Sequence, residues 1–219
     1  MKIDNFLTLC LNPPKRDHSL LSTLALFWIP GFNTFLFRSG YLSLTGQDLS
    51  MITGLQAQTE DYNFPLHPEA YRFELSFHPI QEPYQVFAKT FLKDPNPQTN
   101  YLAFLLYWLS KFVFCSPTNR VNRKLLPLAL ELSRGSSVNL HSLVLANIYR
   151  GMYSLVTALK TNNGSITQGP IWLVQLWFNI YFAHLYQGTA PLCSYHHRLA
   201  ITSDLVLRDP LGISQYALI

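Results

Sequence analysis

Apolar residues recur along this chain mostly at helical intervals. From Pro83 onward, Tyr84, Phe87, Ala88, Phe91 and Leu92 fall at i, i+3, i+4, i+7 and i+8, the stripe of a helix with one buried face. Pro83 suits its first turn, where a missing N–H costs nothing. The segment KDPNPQTN interrupts with two prolines, and YLAFLLYWLSKFVF, residues 101–114, follows. Only Ser110 and Lys111 are frankly polar there, which predicts a buried helix closed by Ser116 and Pro117. A further helix is expected over Lys124–Arg134, with Pro127 in its first turn or at a kink and Gly135 at its end. Asn139 is placed to cap a long helix carrying Leu140, Leu143, Val144, Ile148, Met152, Leu155, Val156 and Leu159 on one face. Pro170 opens the last strong pattern, PIWLVQLWFNIYFAHLY, in which Gln175, Asn179 and His184 form one wetter stripe. Near the start, Ser19 is expected to cap a short helix through Phe27, halted by Pro30 and Gly31.

One stretch breaks this rhythm. NTFLFRSGYLSLTGQDLSMITGL gives a β-rich run at Thr34–Phe37, a turn at Ser39–Gly40 and a second run at Tyr41–Leu44, a hairpin that must pack on the helices to be stable. Thr45 and Asp48 then have capping-box spacing for a short helix through Ile52. Residues 56–82, with three prolines and little periodicity, are expected to form a long loop. The expected fold is therefore mainly α: a single compact multi-helix domain with a small β-hairpin near its N-terminal third. Residues 1–18 are read as an N-terminal extension, 19–186 as the helical domain with its hairpin at about 33–45, and 187–219 as a C-terminal tail.

Length separates these helices from membrane spans. A hydrocarbon layer needs roughly 20 apolar residues, whereas residues 101–114 reach only about 21 Å at 1.5 Å per residue and include Lys111. Hydrophobic residues are 48% of the 219 and charged ones 13%, too apolar a balance for a disordered chain. The net charge of +4 permits contact with polyanions without demanding it. Cys10, Cys115 and Cys193 are odd in number and lack metal-type or redox-type spacing, which favours free thiols in a reducing compartment. The amino terminus has no long apolar centre or small-residue cleavage site, so an intracellular protein is expected.

Catalytic signatures are sparse. Neither phosphate-binding glycine pattern occurs, nor H-E-x-x-H, C-x-x-C or G-x-S-x-G. His196–His197 and Glu60–Asp61 read better as solvated loop residues than as ligands or acid–base pairs. Trp28, Trp108, Trp172 and Trp177 lie in apolar settings that suit core packing over ligand stacking. No catalytic residue, cofactor or metal is expected. One charge cluster stands out: Lys111, Arg120, Arg123, Lys124 and Arg134 fall within 24 residues whose only acid is Glu131, and Arg150 can join them. It is either a phosphate- or partner-facing surface or a solvated face whose cations complement helix carboxyl ends. Tyr149, Arg150, Arg134 and Gln175 are polar within apolar blocks, and a hydrogen-bonded structural role is expected of each.

These blocks resemble the plant mobile domain family, also labelled aminotransferase-like. FWIPGFNTFLFRSG is similar to the family's first motif at Phe27, Trp28, Pro30, Asn33, Thr34, Phe35, Phe37 and Gly40. FLLYWLSKFVFCSP, LLPLALELSRG and LVLANIYRG resemble its helical centre through Trp108, Leu109, Phe112, Phe114, Pro127, Arg134, Gly135, Tyr149 and Arg150. GPIWLVQLW matches at Gly169, Pro170, Trp172, Gln175 and Trp177. Tyr41 stands where the family commonly has glutamate, and Gly46–Gln47 where it has leucine–glutamate. The resemblance implies an intracellular, nuclear plant protein of a family shared by host genes and transposable elements, with roles in transposon silencing, genome integrity and development. It also implies protein partners, a phosphatase-like one among them. The aminotransferase label is rejected: a pyridoxal-phosphate enzyme needs a Schiff-base lysine, a phosphate site and a pyridinium partner, and Lys89, Lys111 and Lys160 read as helix-surface or helix-end residues. The leading expectation is a non-enzymatic interaction domain. The alternative is direct nucleic-acid binding through Lys111–Arg134 and Arg150, without a membrane role in either case.

Overall fold

The computed structural model describes residues 4–38, 40–57, 83–91, 96–116, 118–136, 138–161 and 169–182. The loop expected at 56–82 lies outside them from residue 58 on, as do Ser39, Leu92, Pro117, His184, Cys193, His196–His197 and the whole tail. Among the described residues the chain is mainly α, as its periodicity predicts. It forms α1 (Asp4–Leu11), α2 (His18–Phe27), β1 (Trp28–Ile29), β2 (Thr34–Phe37), β3 (Gly40–Leu42) and α3 (Gly46–Thr53). Then come α4 (Tyr84–Phe91), α5 (Pro97–Trp108), α6 (Leu126–Ser133), α7 (Leu140–Lys160) and α8 (Trp172–Tyr181).

Most helix ends follow the caps their sequences offer. Thr45 and Asp48 form a full capping box at the start of α3, and Gly54 closes that helix in the left-handed conformation, φ 74°. Asn139 accepts from the Ser142 N–H at 3.1 Å to start α7, and Gly135, φ 75°, follows α6. Pro127 sits in the first turn of α6, where it breaks no bond. Two starts differ from expectation. Asp17, not Ser19, caps α2, because its carboxylate reaches the Leu20 N–H at 2.9 Å. Helix α5 begins inside the proline-rich segment: Asn96 caps it and Pro97 occupies its first turn.

The hairpin is present and gains a strand that the sequence did not disclose. β1 pairs antiparallel with β2 through Trp28–Phe35 and Ile29–Thr34, and β2 pairs with β3 through Phe35–Leu42 and Leu36–Tyr41. Asn33 takes φ 52° in the β1–β2 turn, a conformation asparagine tolerates. The Ser43 hydroxyl donates to its carbonyl at 2.7 Å, fixing the turn against the third strand.

Two aromatic nests anchor the core. Beneath the sheet, Phe35 meets the Trp28 ring at 4.8 Å and stacks on Trp177 at 5.8 Å. At the other nest, Phe6 of α1 contacts Trp108 edge-on at 5.5 Å and stacks on Trp172 at 6.3 Å. Phe6, Trp108 and Trp177 are fully buried, and Leu9 and Cys10 join them in the interior. Helix α1, placed by the sequence in an extension, thus contributes to the same core. Helix α7 packs against both α2 and α3, and α5 packs against α4 and α6. Among the described residues no helix is long and apolar enough to cross a membrane.

Candidate functional site

The sequence-expected cations divide into one group and two outliers. The group is organised by Ser110, which lies fully buried in the wide helical turn Leu109–Val113 that continues α5. In this π-type turn the Phe114 N–H reaches back five residues to the Leu109 carbonyl at 2.8 Å, and nearby carbonyls turn outward to other partners. The Ser110 carbonyl accepts from the Tyr84 hydroxyl at 2.8 Å and from the Ser116 N–H at 2.9 Å. The Ser110 hydroxyl accepts from the Asn122 N–H at 3.0 Å. A single buried serine therefore ties α4, the end of α5 and the loop 118–125 together.

The cations sit on the outside of this junction. Lys111, next to Ser110, is exposed; its ammonium donates to the Tyr107 hydroxyl at 2.7 Å and lies 5.0 Å from the ring centres of both Tyr107 and Phe112. Tyr107 contacts Tyr84 edge-on at 5.7 Å. Arg120 bridges to Pro83, the residue before α4, while Asn119, φ 53°, accepts from the Tyr84 N–H at 3.4 Å. Asn122 caps the short 3-10 turn Arg123–Leu125 by accepting from the Lys124 N–H at 3.1 Å. Arg120, Arg123 and Lys124 are all exposed, and none has an ion-pair partner among the described residues.

The outliers are the two arginines for which a buried role was expected. Arg134 lies beyond the far end of α6, 62% exposed at its side chain, and pairs with Glu131 at 3.1 Å. Arg150 is exposed on α7. It follows the buried Ile148 by two residues, about 200° around the helix, which turns it to solvent. The other two polar residues do enter the fold. The buried Gln175 side chain accepts from the Asp17 N–H at 3.0 Å and donates to the Lys15 carbonyl at 2.8 Å. The Tyr149 hydroxyl donates to the Leu44 carbonyl at 2.9 Å, joining α7 to the end of the sheet.

The remaining carboxylates of the described region are engaged elsewhere or distant in sequence from the basic face. Asp48, buried, accepts from the Thr45 N–H and hydroxyl, each at 2.7 Å, and from the Tyr181 hydroxyl. Asp17 caps α2, Glu131 holds Arg134, and Asp4 opens α1. Two thiols are deep in the core: burial pushes Cys10 up to about 12 and Cys115 up to about 11, away from nucleophilic use. Burial also raises the Tyr84 hydroxyl, which stays a neutral donor to Ser110. Among the described residues no three His, Cys, Asp or Glu side chains gather as a metal site would require.

A second surface, not anticipated from the sequence, is apolar. On the outer face of the sheet Leu36 and its cross-strand partner Tyr41 are exposed at 44% and 67%, and Phe32 at 72% lies with its ring 6.5 Å from that of Tyr41. Its signal was present in the alternation of Phe35, Leu36 and Phe37, where an apolar residue occupies both faces of one strand. Tyr84, Tyr107 and Ser110 were also missed as parts of the basic face. The i, i+4 spacing of Tyr107 and Lys111 could have shown the first contact.

The remaining family-motif residues are structural in their surroundings. Trp28, Phe35, Trp108, Pro170, Trp172 and Trp177 are buried, Phe112 packs partly buried against them, and Gly40 opens β3 with φ 127°. Pro30 lies in the turn after β1. Residues 6–204 match the family model described as plant mobile domain. No curated protein and no solved structure matches the chain.

Proposed function

The chain belongs to the plant mobile domain family, and on that premise we propose that it is a non-enzymatic interaction domain that meets a protein partner on the outer face of its sheet. The observation that carries this reading is the cluster of Phe32, Leu36 and Tyr41, three large apolar side chains exposed together on one small sheet. Large apolar side chains grouped at a surface mark contact sites more often than singly scattered ones do. The inner face of the same strands is fixed against Trp177 and Tyr149, so the outer face is presented on a rigid support.

The functional setting follows the family: a nuclear protein acting in transposon silencing, genome stability or developmental gene control, with a phosphatase-like protein among its partners. A non-enzymatic role accords with two buried, pKa-raised thiols and with polar residues such as Gln175 and Asp48 that serve the fold. Affinity purification from plant nuclear extract with mass spectrometry tests the proposal. Wild type is expected to recover a specific protein that a Leu36→Asp/Tyr41→Ser chain does not, while both show the same unfolding midpoint. Equal recovery by the two chains would contradict it.

A further inference from the structure

We propose that the face formed by Lys111, Arg120, Arg123 and Lys124 binds single-stranded nucleic acid, with phosphates on the cations and a base beside the Tyr107 ring. The inference goes beyond the sheet-face reading and does not depend on it.

Three observations carry it. First, the four cations are exposed around one junction: Ser110 anchors the loop bearing Arg120, Arg123 and Lys124 to the turn bearing Lys111. Secondly, no described carboxylate neutralises them, since Asp17, Asp48 and Glu131 have other partners and Asp4 opens α1. A solvated surface evolved only for solubility would intersperse both signs. Thirdly, aromatic rings stand among the charges. Lys111 lies 5.0 Å from the Tyr107 and Phe112 ring centres, and Tyr84 packs on Tyr107. Cations that track a backbone, with rings on which bases stack, are the chemistry of single-strand binding.

The same features weigh against the neighbouring classes of polyanion. An acidic peptide would use the charges and leave the rings without a role. A duplex is read by a helix or two-stranded ribbon laid in its groove. Here the cations rise from one wide turn and a short irregular loop, which suits a flexible strand that can bend to them.

Salt-dependent binding tests the proposal. The probe is a fluorescein-labelled oligothymidine of about 20 nucleotides, long enough for a single-strand site, followed by anisotropy. Four phosphate contacts on a single strand predict a log–log salt slope of about −2.8, a loss of about 50-fold in affinity between 50 and 200 mM salt. An Arg120→Ala/Arg123→Ala/Lys124→Ala chain should retain one contact, a slope of about −0.7 and a loss of only about threefold over that range. A Leu36→Asp chain should bind the probe as wild type does, whatever becomes of its protein partner.

Absence of binding at low salt overturns the proposal, as does a slope unchanged in the triple variant. So does tighter binding to a duplex of the same length or to a polyglutamate peptide at equal ionic strength. Equal recovery of protein by the wild-type and Leu36→Asp/Tyr41→Ser chains, with oligothymidine binding intact, would remove the sheet-face reading and leave this inference standing alone. Absence of oligothymidine binding, with a protein recovered by wild type but not by the Leu36→Asp/Tyr41→Ser chain, would remove it and leave the sheet-face reading in place.

Discussion

Gln175 shows how much one side chain can hold. It accepts from the Asp17 N–H and donates to the Lys15 carbonyl, so it fastens the segment before α2 onto the buried helix α8. Each buried polar group left without a partner costs about 1–3 kcal/mol. Gln175→Ala should therefore lower the free energy of unfolding by about 2–4 kcal/mol, read by urea titration. A cost below about 0.5 kcal/mol would show that the amide is dispensable. The sequence marked Gln175 correctly as a polar residue needing internal partners. Arg134 keeps a hydrogen-bonded partner, Glu131, but at the surface, and Arg150 faces solvent; block membership alone does not reveal which side of a helix a long cationic side chain takes.

The thiols give a pH prediction at the same scale. Burial raises Cys10 to about 12 and Cys115 to about 11 from the ordinary value of 9.0. The unfolded chain thus releases these protons first as pH rises, and their contribution to stability is full below pH 9 and declines above it toward the folded values. In a Cys193→Ser chain, the unfolding free energy should fall steadily from pH 9 to 11, and neither remaining thiol should react with a disulfide reagent at pH 8 without denaturant. Rapid labelling of the native chain would contradict the burial of both.

Among the elements, glycines separate backbone conformation from space. Gly169, φ 85°, stands where an added Cβ would come 2.5 Å from the Asn147 backbone carbonyl oxygen, so the entry to α8 lies directly on α7. Gly135, φ 75°, has open space, and Gly31 has open space without a positive φ. Thermal unfolding should rank the alanine variants accordingly. Gly31→Ala should stay within about 0.5 kcal/mol of wild type, and Gly135→Ala should lose about 1–2 kcal/mol for the left-handed conformation. Gly169→Ala should lose more than either. Equal losses would mean that the α7–α8 approach is looser than the geometry shows.

Elements with a local signal were legible: the capping box of α3, the Asn139 cap, the glycine after α6 and the β2–β3 hairpin. Two others were not. β1 spans only Trp28–Ile29, too short for alternation to register, and it follows α2 without a break. The wide turn at Leu109–Val113 looks like ordinary helix in sequence, because its difference lies in hydrogen bonding and not in side-chain type. Yet that turn is what makes Ser110 an anchor and sets Lys111 beside the loop cations.

For the whole molecule, sequence periodicity and the family motifs conveyed the mainly α architecture and the buried tryptophans. The surfaces were only partly legible. The charge cluster could be seen as a run of basic residues, but its division into one face around Ser110 and two separate arginines depends on contacts far apart in sequence. The outer sheet face needed the register of β2 against β3. Together these contacts divide the molecule: polar groups inside hold helices and sheet together, while the cations around Ser110 and the apolar sheet residues Phe32, Leu36 and Tyr41 are exposed.

That division is tested most directly by the equilibrium unfolding of the Arg120→Ala/Arg123→Ala/Lys124→Ala chain. Because the three side chains have no partner among the described residues, its unfolding free energy in urea should stay within about 0.5 kcal/mol of wild type. A loss of about 2 kcal/mol or more would show that these cations hold the fold together, and the account of a free basic face would be wrong.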